Sequence, residues 1–157
     1  MALRLYLDAA CTQEIDELNP DIIHKAVVAG ADMLDERSLW IKSDADVLTY
    51  ENIETTAKLI LLDEYNNPVL VEGDPVLEDL PPEISIQYAV DNNGSPGAYL
   101  DPGIIPDGPF DQAVRIWRKV IAPSVESAFK FPYKIPGSDP VRKKGIVYKL
   151  NWDEYVI

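Results

Sequence analysis

Residue types that usually carry chemistry are scarce in this chain of 157 residues. The single histidine, His24, has no acid or cysteine at ligand spacing, which favours a structural side chain over a general base or a metal ligand. The single cysteine, Cys11, cannot form an internal disulfide, and we expect a buried or half-buried thiol rather than a nucleophile. The sequence has no Gly-x-Ser-x-Gly elbow, no Gly-x-x-x-x-Gly-Lys loop, no Gly-x-Gly-x-x-Gly run and no Cys-x-x-Cys pair. We therefore predict a non-enzymatic protein with no catalytic residues, no cofactor and no zinc site.

Carboxylates are the one chemically active side-chain group that is abundant in this sequence. With 27 acids, a paired-acid hydrolase is compatible with the composition, but any two acids could be chosen as the pair. Two runs, Asp44-Ala45-Asp46 and Asp91-Asn92-Asn93-Gly94, supply oxygen ligands that calcium could use. Neither run has the spacing and terminal glutamate of a twelve-residue calcium loop. Ordinary turns capped by Asp and Asn side chains are favoured, and no metal site is predicted.

The net charge of −13 is unevenly distributed along the chain. Residues 1–112 hold five basic and 23 acidic side chains, whereas residues 113–157 hold nine basic and four acidic ones. The acidic majority argues against nucleic acid as a partner, since phosphate contacts need a basic surface. The basic third either forms an interface for an acidic neighbour, including a second copy, or pairs with the acidic part within one chain. The candidate interface residues are Arg115, Arg118, Arg142, Lys143 and Lys144.

Membrane insertion and export are not indicated. No apolar run approaches the roughly 20 residues that span a bilayer. The N-terminal residues 1–8 lack the basic region, apolar core and cleavage site of a signal peptide. We expect a protein that is used without export and that does not bind a membrane.

Strand-like patterns dominate the chain. Apolar residues alternate with other residues over Ile84–Val90, Phe129–Ile135 and Ile146–Trp152, which is typical of strands with one buried face. Pro132 marks the second of these as an edge strand or a bulge, because proline cannot donate to the sheet. Further strand candidates are Leu3–Asp8, Ser38–Lys42, Ile53–Leu62 and Val69–Glu72.

Two segments have mixed patterns. Residues Asn19–Val27 fit either a short helix or a β-branched strand, and both remain open. Residues Phe110–Ile121 have helical spacing, but their β-branched content and turn-like flanks favour a strand. A long loop is expected from Asp91 to Pro109.

The fold class follows from the strand count. About eight short strands separated by turns, without βαβ alternation, predict an all-β antiparallel β-sandwich with at most one or two short helices. No repeat or linker divides the chain, so residues 1–157 are expected to form one domain. The tryptophans lie within strand-like runs, and we predict core or inter-sheet packing for most of them rather than a sugar-binding platform. They are Trp40, Trp117 and Trp152.

Three patches together resemble a known family. Ser38–Lys42 followed by Leu48–Ile53 resembles the opening strands of the immunoglobulin-like domains of tailed-phage virion proteins. Ala113–Pro123, with its Trp-Arg pair before a proline, resembles a later strand of such domains, and Phe129–Ile135 follows it as it does there. The likeness spans about residues 38–135.

This resemblance implies a virion accessory role. The expected protein is a capsid decoration (cement) protein, with a head–tail connector or tail component as the alternative. It would lie on the bacteriophage particle, assembled in the host cytoplasm, and bind a major capsid or other virion protein. We expect a homo-oligomer, a trimer at a capsid three-fold site, with the N-terminal strand and residues 141–144 as arms. The rival hypotheses are a carbohydrate-binding β-sandwich with exposed aromatics and calcium, and an enzyme with acids clustered in a pocket.

Overall fold

The computed structural model describes residues 3–22, 33–44, 48–63, 65–122 and 143–156. Within these ranges all regular secondary structure is β-strand, so the predicted all-β class is confirmed. The strands are β1 Leu3–Tyr6, β2 Asp21–Ile22, β3 Met33–Ser43, β4 Leu48–Leu62, β5 Leu70–Val71, β6 Asp74–Pro75, β7 Leu77–Asp79, β8 Ser85–Asn92, β9 Ser95–Pro96, β10 Ile104–Ile105, β11 Gly108–Pro109, β12 Val114–Ala122 and β13 Lys143–Val156.

The first sheet has the order β1-β3-β12-β8-β9 and is antiparallel throughout. Strand β12 is its centre, and it pairs with β3 along its whole length. The segment Phe110–Ile121 therefore contributes a strand, as its β-branched residues predicted, rather than a helix. Because side chains alternate along a strand, Ile116, Arg118 and Val120 face the second sheet, and the residues between them face outward.

The second sheet has the order β10-β4-β13-β2. Strand β13 pairs with β4 from Lys143 to Val156. The opposite edge of β4 pairs in succession with β11, β10 and β7. A β-bulge lies in β4, where the register with β13 shifts between Asn151 and Asp153 and Asn52 adopts a φ of 51°. The bulge turns both Tyr50 and Ile53 into the core, although they are three residues apart.

The core lies between the inner faces of these two sheets, which form a β-sandwich. The predicted alternation of Ile84–Val90 holds from Ile84 to Tyr88 but fails at Ala89, which is buried, and Val90, which is 54% exposed. In β13, Ile146 is buried and Tyr148, Leu150 and Trp152 pack against the core, as predicted. In the open segment Asn19–Val27, Asp21–Ile22 is strand β2, and residues 23–27 lie outside the described residues, as does Phe129–Ile135. The apolar side chains of the core include Leu39, Ile41, Tyr50, Ile53, Leu59, Tyr88, Ile105, Phe110, Ile116 and Ile146.

The predicted loop Asp91–Pro109 is more ordered than expected. Asn93 and Gly94, both with positive φ, make the two-residue turn that joins β8 to β9. The chain then follows the free edge of β8, where the amides of Gly97, Leu100 and Gly103 donate to the carbonyls of Val90, Tyr88 and Ile86. This path places the side chain of Tyr99 over the outer face of the first sheet.

Candidate functional site

The predicted interface residue Arg118 lies inside the sandwich. Its side chain is 0% exposed, and it faces inward from the middle of β12. A guanidinium in that position is not available to contact a second chain. The expectation that Arg118 is an interface residue therefore does not fit its location. Its side-chain partners are acids of the same chain, as in the alternative explanation of the charge distribution.

The partners of Arg118 come from both sheets. Its Nε and Nη2 donate to the two carboxylate oxygens of Asp21, each at 2.9 Å. Its Nη1 donates to Asp35 Oδ2 at 2.6 Å and to the Asp35 carbonyl at 3.0 Å. Asp21 also accepts from Tyr148 Oη at 2.6 Å and from Arg37 at 3.3 Å. Because β12 and β3 belong to the first sheet, and β2 and β13 to the second, this network links the sheets by charged hydrogen bonds.

The ionisation states follow from this geometry. Burial alone would lower the pKa of Arg118, but the charge of Asp21 and the hydrogen bonds to Asp21 and Asp35 raise it, so the guanidinium stays charged. Burial, and then the charge of Asp21, raise the pKa of Tyr148 well above its usual value, so the phenol remains a proton donor. We find no unpaired buried polar side-chain atom among the described residues. The network is therefore an internally satisfied structural feature.

The other predicted interface residues are separated by the fold. Arg115 is half-buried on the outward side of β12, with its guanidinium 5.2 Å from the ring centre of Trp40. Lys143 and Lys144 begin β13, where they pair with Leu62 and Leu61. Arg142 lies outside the described residues. An interface role for these four residues stays a prediction.

The outer face of the first sheet carries aromatic residues that sequence reasoning assigned to the core. Trp40 and Trp117 are half-buried and project outward from β3 and β12, so the prediction of core packing is wrong for both. It is right for Trp152, which packs against the core and meets Tyr50 edge-on at 6.2 Å. The missed signal was the alternation in β12, where Trp117 falls between two inward positions, Ile116 and Arg118.

The indole of Trp117 lies across the sheet. Its Nε1 donates to Asp91 Oδ1 of β8 at 2.8 Å. The register places Ala89 directly opposite Trp117, on the same outward face. Ala89 is 0% exposed, whereas Trp117 is half-buried, so part of the tryptophan side chain remains accessible on this outward face.

Two rows of side chains border Trp117. On one side, Arg115 is in cross-strand register with Trp40 and stacks on it, and Asp91 follows Val90, the last residue of β8 that pairs with β12. On the other side, Tyr99 crosses β8 and β12, with its ring centre 4.1 Å from Lys119 Nζ and its hydroxyl 2.5 Å from Glu36 Oε2 of β3. Burial and the bond to Glu36 raise the pKa of Tyr99, which keeps the phenol protonated. We call these residues the aromatic face: Glu36, Trp40, Asp91, Tyr99, Arg115, Trp117 and Lys119.

A second exposed feature is the hairpin of β5 and β6. Its turn is made by Glu72 and Gly73, both with positive φ. Leu70 and Val71 are 56% and 60% exposed, although they are the apolar residues of this hairpin. The hairpin is a sheet separate from the other two, attached next to the end of β4 through backbone bonds to Leu61. Because adjacent residues of a strand point to opposite sides, these two residues expose apolar area on both sides of the hairpin.

A groove of about 510 Å³ lies beside β4, between β7 and β10. Apolar residues form much of its lining, and Thr55 and Ser85 add hydroxyl groups. Of the described residues that line it, Asp79 is the one carboxylate, and it lies 3.5 Å from Lys58. The groove thus contains no pair of acids within the described chain.

Residue types that could carry out catalysis or bind a metal are not clustered in the described part of the chain. Cys11 is half-buried, as expected, and burial raises the pKa of its thiol, which lowers its reactivity. His24 lies outside the described residues. Across the described ranges, no group of three or more His, Cys, Asp or Glu side chains is arranged to hold a metal ion. No helix in those ranges is long and apolar enough to cross a bilayer.

Fold and surface together define an antiparallel β-sandwich with an ionic network inside and an aromatic face outside. No protein-family model, no curated protein and no solved structure matches this chain.

Proposed function

We propose that this protein is a non-enzymatic structural protein that functions by binding other protein subunits. The proposed setting is the virion of a tailed bacteriophage, as a capsid decoration protein or, alternatively, a connector or tail component. The observation that carries the proposal is the β5–β6 hairpin, which presents Leu70 and Val71 outside both sheets of the sandwich. The sequence resemblance supports the virion setting.

The energetics of the hairpin favour a contact role. A two-stranded hairpin is marginally stable by itself, and these apolar side chains gain nothing from remaining in water. Burying a Leu or Val side chain in an interface contributes about 1.5–3 kcal/mol. The net charge of −13 opposes non-specific association, so a specific apolar contact is needed to hold subunits together.

The first experiment measures self-association by light scattering over a concentration series. We expect a closed homo-oligomer, three times the 17.5 kDa mass of the chain if it occupies three-fold sites. The double variant Leu70→Ser/Val71→Ser should weaken association at least about tenfold, because its apolar contact is lost. Leu18→Ser is the matched control, since Leu18 is 80% exposed but lies in a different loop.

The second experiment tests the setting. Particles purified from the phage that encodes this chain should carry it in a fixed ratio to the major capsid protein. Capsids lacking it should recruit the wild-type protein on sedimentation, but not the hairpin variant. A protein that is monomeric at every concentration and does not sediment with these particles would contradict the proposal.

A further inference from the structure

We propose that the aromatic face is a binding site for a neutral glycan, with the indole of Trp117 as the stacking platform. This site is independent of the hairpin and adds a second activity to the proposed structural role. Its ligand class is a linear chain of pyranose sugars with equatorial hydroxyl groups, such as β1,4-linked glucose or N-acetylglucosamine.

The first argument is the orientation of Trp117. Its bond to Asp91 of the neighbouring strand holds the indole on the outward side of the sheet, where the tryptophan is half-buried and therefore partly accessible. The face of an aromatic ring carries negative charge, and it attracts the polarised C–H groups on the flat side of a pyranose. The fold does not need this tryptophan for its core, which is filled by the inward-facing residues. A platform that is already held in place loses little conformational freedom on binding.

The second argument is the shape of the surface strip that contains Trp117 and lies between the two rows of side chains. The rows beside Trp117 are formed around Arg115 and Lys119, which lie four residues apart on one strand and so about 13 Å apart. Between them, the small Ser38 occupies the β3 position opposite Trp117. Arg115 stacked on Trp40 borders one side, and Tyr99 borders the other. This strip is one row of side chains wide, which suits a linear chain better than the broad surface of a folded protein.

The third argument is the polar groups at the rim. Asp91 and Glu36 already bond to Trp117 and Tyr99, which fixes their carboxylates at the ends of the aromatic rings. A carboxylate has lone pairs for more than one donor, so both can accept from sugar hydroxyls. The cations Arg115 and Lys119 are each directed at an aromatic ring, which reduces their suitability for an anionic ligand.

A glycan array followed by titration calorimetry tests the site. The probes are hexasaccharides of β1,4-linked glucose, N-acetylglucosamine, xylose and mannose. We expect at least one to bind, and Trp117→Ala to bind it about tenfold more weakly or not at all. Binding should persist in EDTA, since no metal-ligating cluster lies among the described residues. Tyr65→Ala is the matched control, because Tyr65 is 75% exposed and lies between β4 and β5, neither of which belongs to the sheet that carries the aromatic face.

A second variant guards against loss of folding. Ser38→Gln fills the strip without removing a core contact, so it should abolish binding while the thermal midpoint stays unchanged. Failure of every hexasaccharide to bind would overturn the proposal. Equal binding by wild type, Trp117→Ala and Ser38→Gln would overturn it as well, and so would binding that EDTA abolishes. If Trp117→Ala instead weakens only self-association, the face is a protein interface and the glycan proposal is wrong.

Discussion

Replacement of Arg118 by methionine tests whether the buried network stabilises the fold. Methionine has a similar length but no charge, so the substitution removes four hydrogen bonds, two to Asp21 and two to Asp35. Asp21 is 0% exposed and Asp35 is 8% exposed, so water cannot replace the lost donors without opening the sandwich. Two carboxylates would then remain in the interior, and among the described residues Tyr148 and Arg37 would be the remaining side-chain donors to Asp21.

The expected cost is large. Removing one partner of a buried ion pair costs about 3–5 kcal/mol, because the remaining charge is desolvated without compensation. A domain of this size has a total stability of about 5–15 kcal/mol, so the variant would lose a substantial fraction. Urea unfolding followed by tryptophan fluorescence measures this loss. With an m-value of about 2 kcal/mol per molar, the midpoint should fall by about 2 M.

Two further variants make the experiment decisive. Arg115→Met is the matched control, since Arg115 lies on the same strand but faces outward, and its loss should cost less than about 1 kcal/mol. Adding Asp21→Asn and Asp35→Asn to Arg118→Met should restore more than half of the lost stability, because neutral amides are easier to bury than carboxylates. If Arg118→Met costs no more than Arg115→Met, the network does not stabilise the fold and the reasoning is refuted.

Two other predictions concern pH and backbone conformation. The raised pKa values of Tyr88 and Tyr148 keep both phenols protonated in the folded state after unfolded tyrosines ionise near pH 10, so the free energy of unfolding should fall as pH rises above 10. Tyr88→Phe should reduce that slope by up to about 1.4 kcal/mol per pH unit in urea titrations, and an unchanged slope would contradict the assignment. Gly103→Ala should cost about 1–3 kcal/mol, because φ is +83° and the new Cβ would lie 3.1 Å from the carbonyl of Thr55. Gly94→Ala is the control with positive φ and open space, and equal thermal shifts for the two variants would refute the steric part of the argument.

The strands were predictable because burial of one face imposes a period of two. This alternation identified β8 and β13 from the sequence alone, although in β8 it fails at Ala89 and Val90. The order within the long segment Asp91–Pro109 was harder to predict from the sequence. Its pairing along the free edge of β8 uses backbone groups, which all residues have. The extent of β3 was also underestimated, because its first half is Met33-Leu34 followed by three consecutive charged residues, which show no apolar alternation.

The candidate sites were harder to predict because they depend on long-range register. Arg118 and Asp21 are 97 residues apart, and nothing local marks an arginine between Trp117 and Lys119 as the buried member of the series. The same inward and outward alternation decides both cases: when Arg118 points into the sandwich, Trp117 must point out. An alternation with Arg118 counted as a buried residue would have placed Trp117 on the outer face. Tryptophan is apolar and arginine is charged, however, so the residue types favoured the opposite arrangement.

The two proposed binding features belong to different parts of the fold. The hairpin is attached beside β4 of the second sheet, whereas Trp117 lies on the outer face of the first. Distant sites with no shared contacts have additive effects, so loss of the hairpin contact should leave glycan affinity unchanged, and loss of Trp117 should leave the oligomer unchanged. A subunit built in this way could be fixed to a particle through one sheet while the other sheet presents a glycan-binding surface. Because the oligomer repeats that surface, weak sites would act together, and avidity would exceed the affinity of one site.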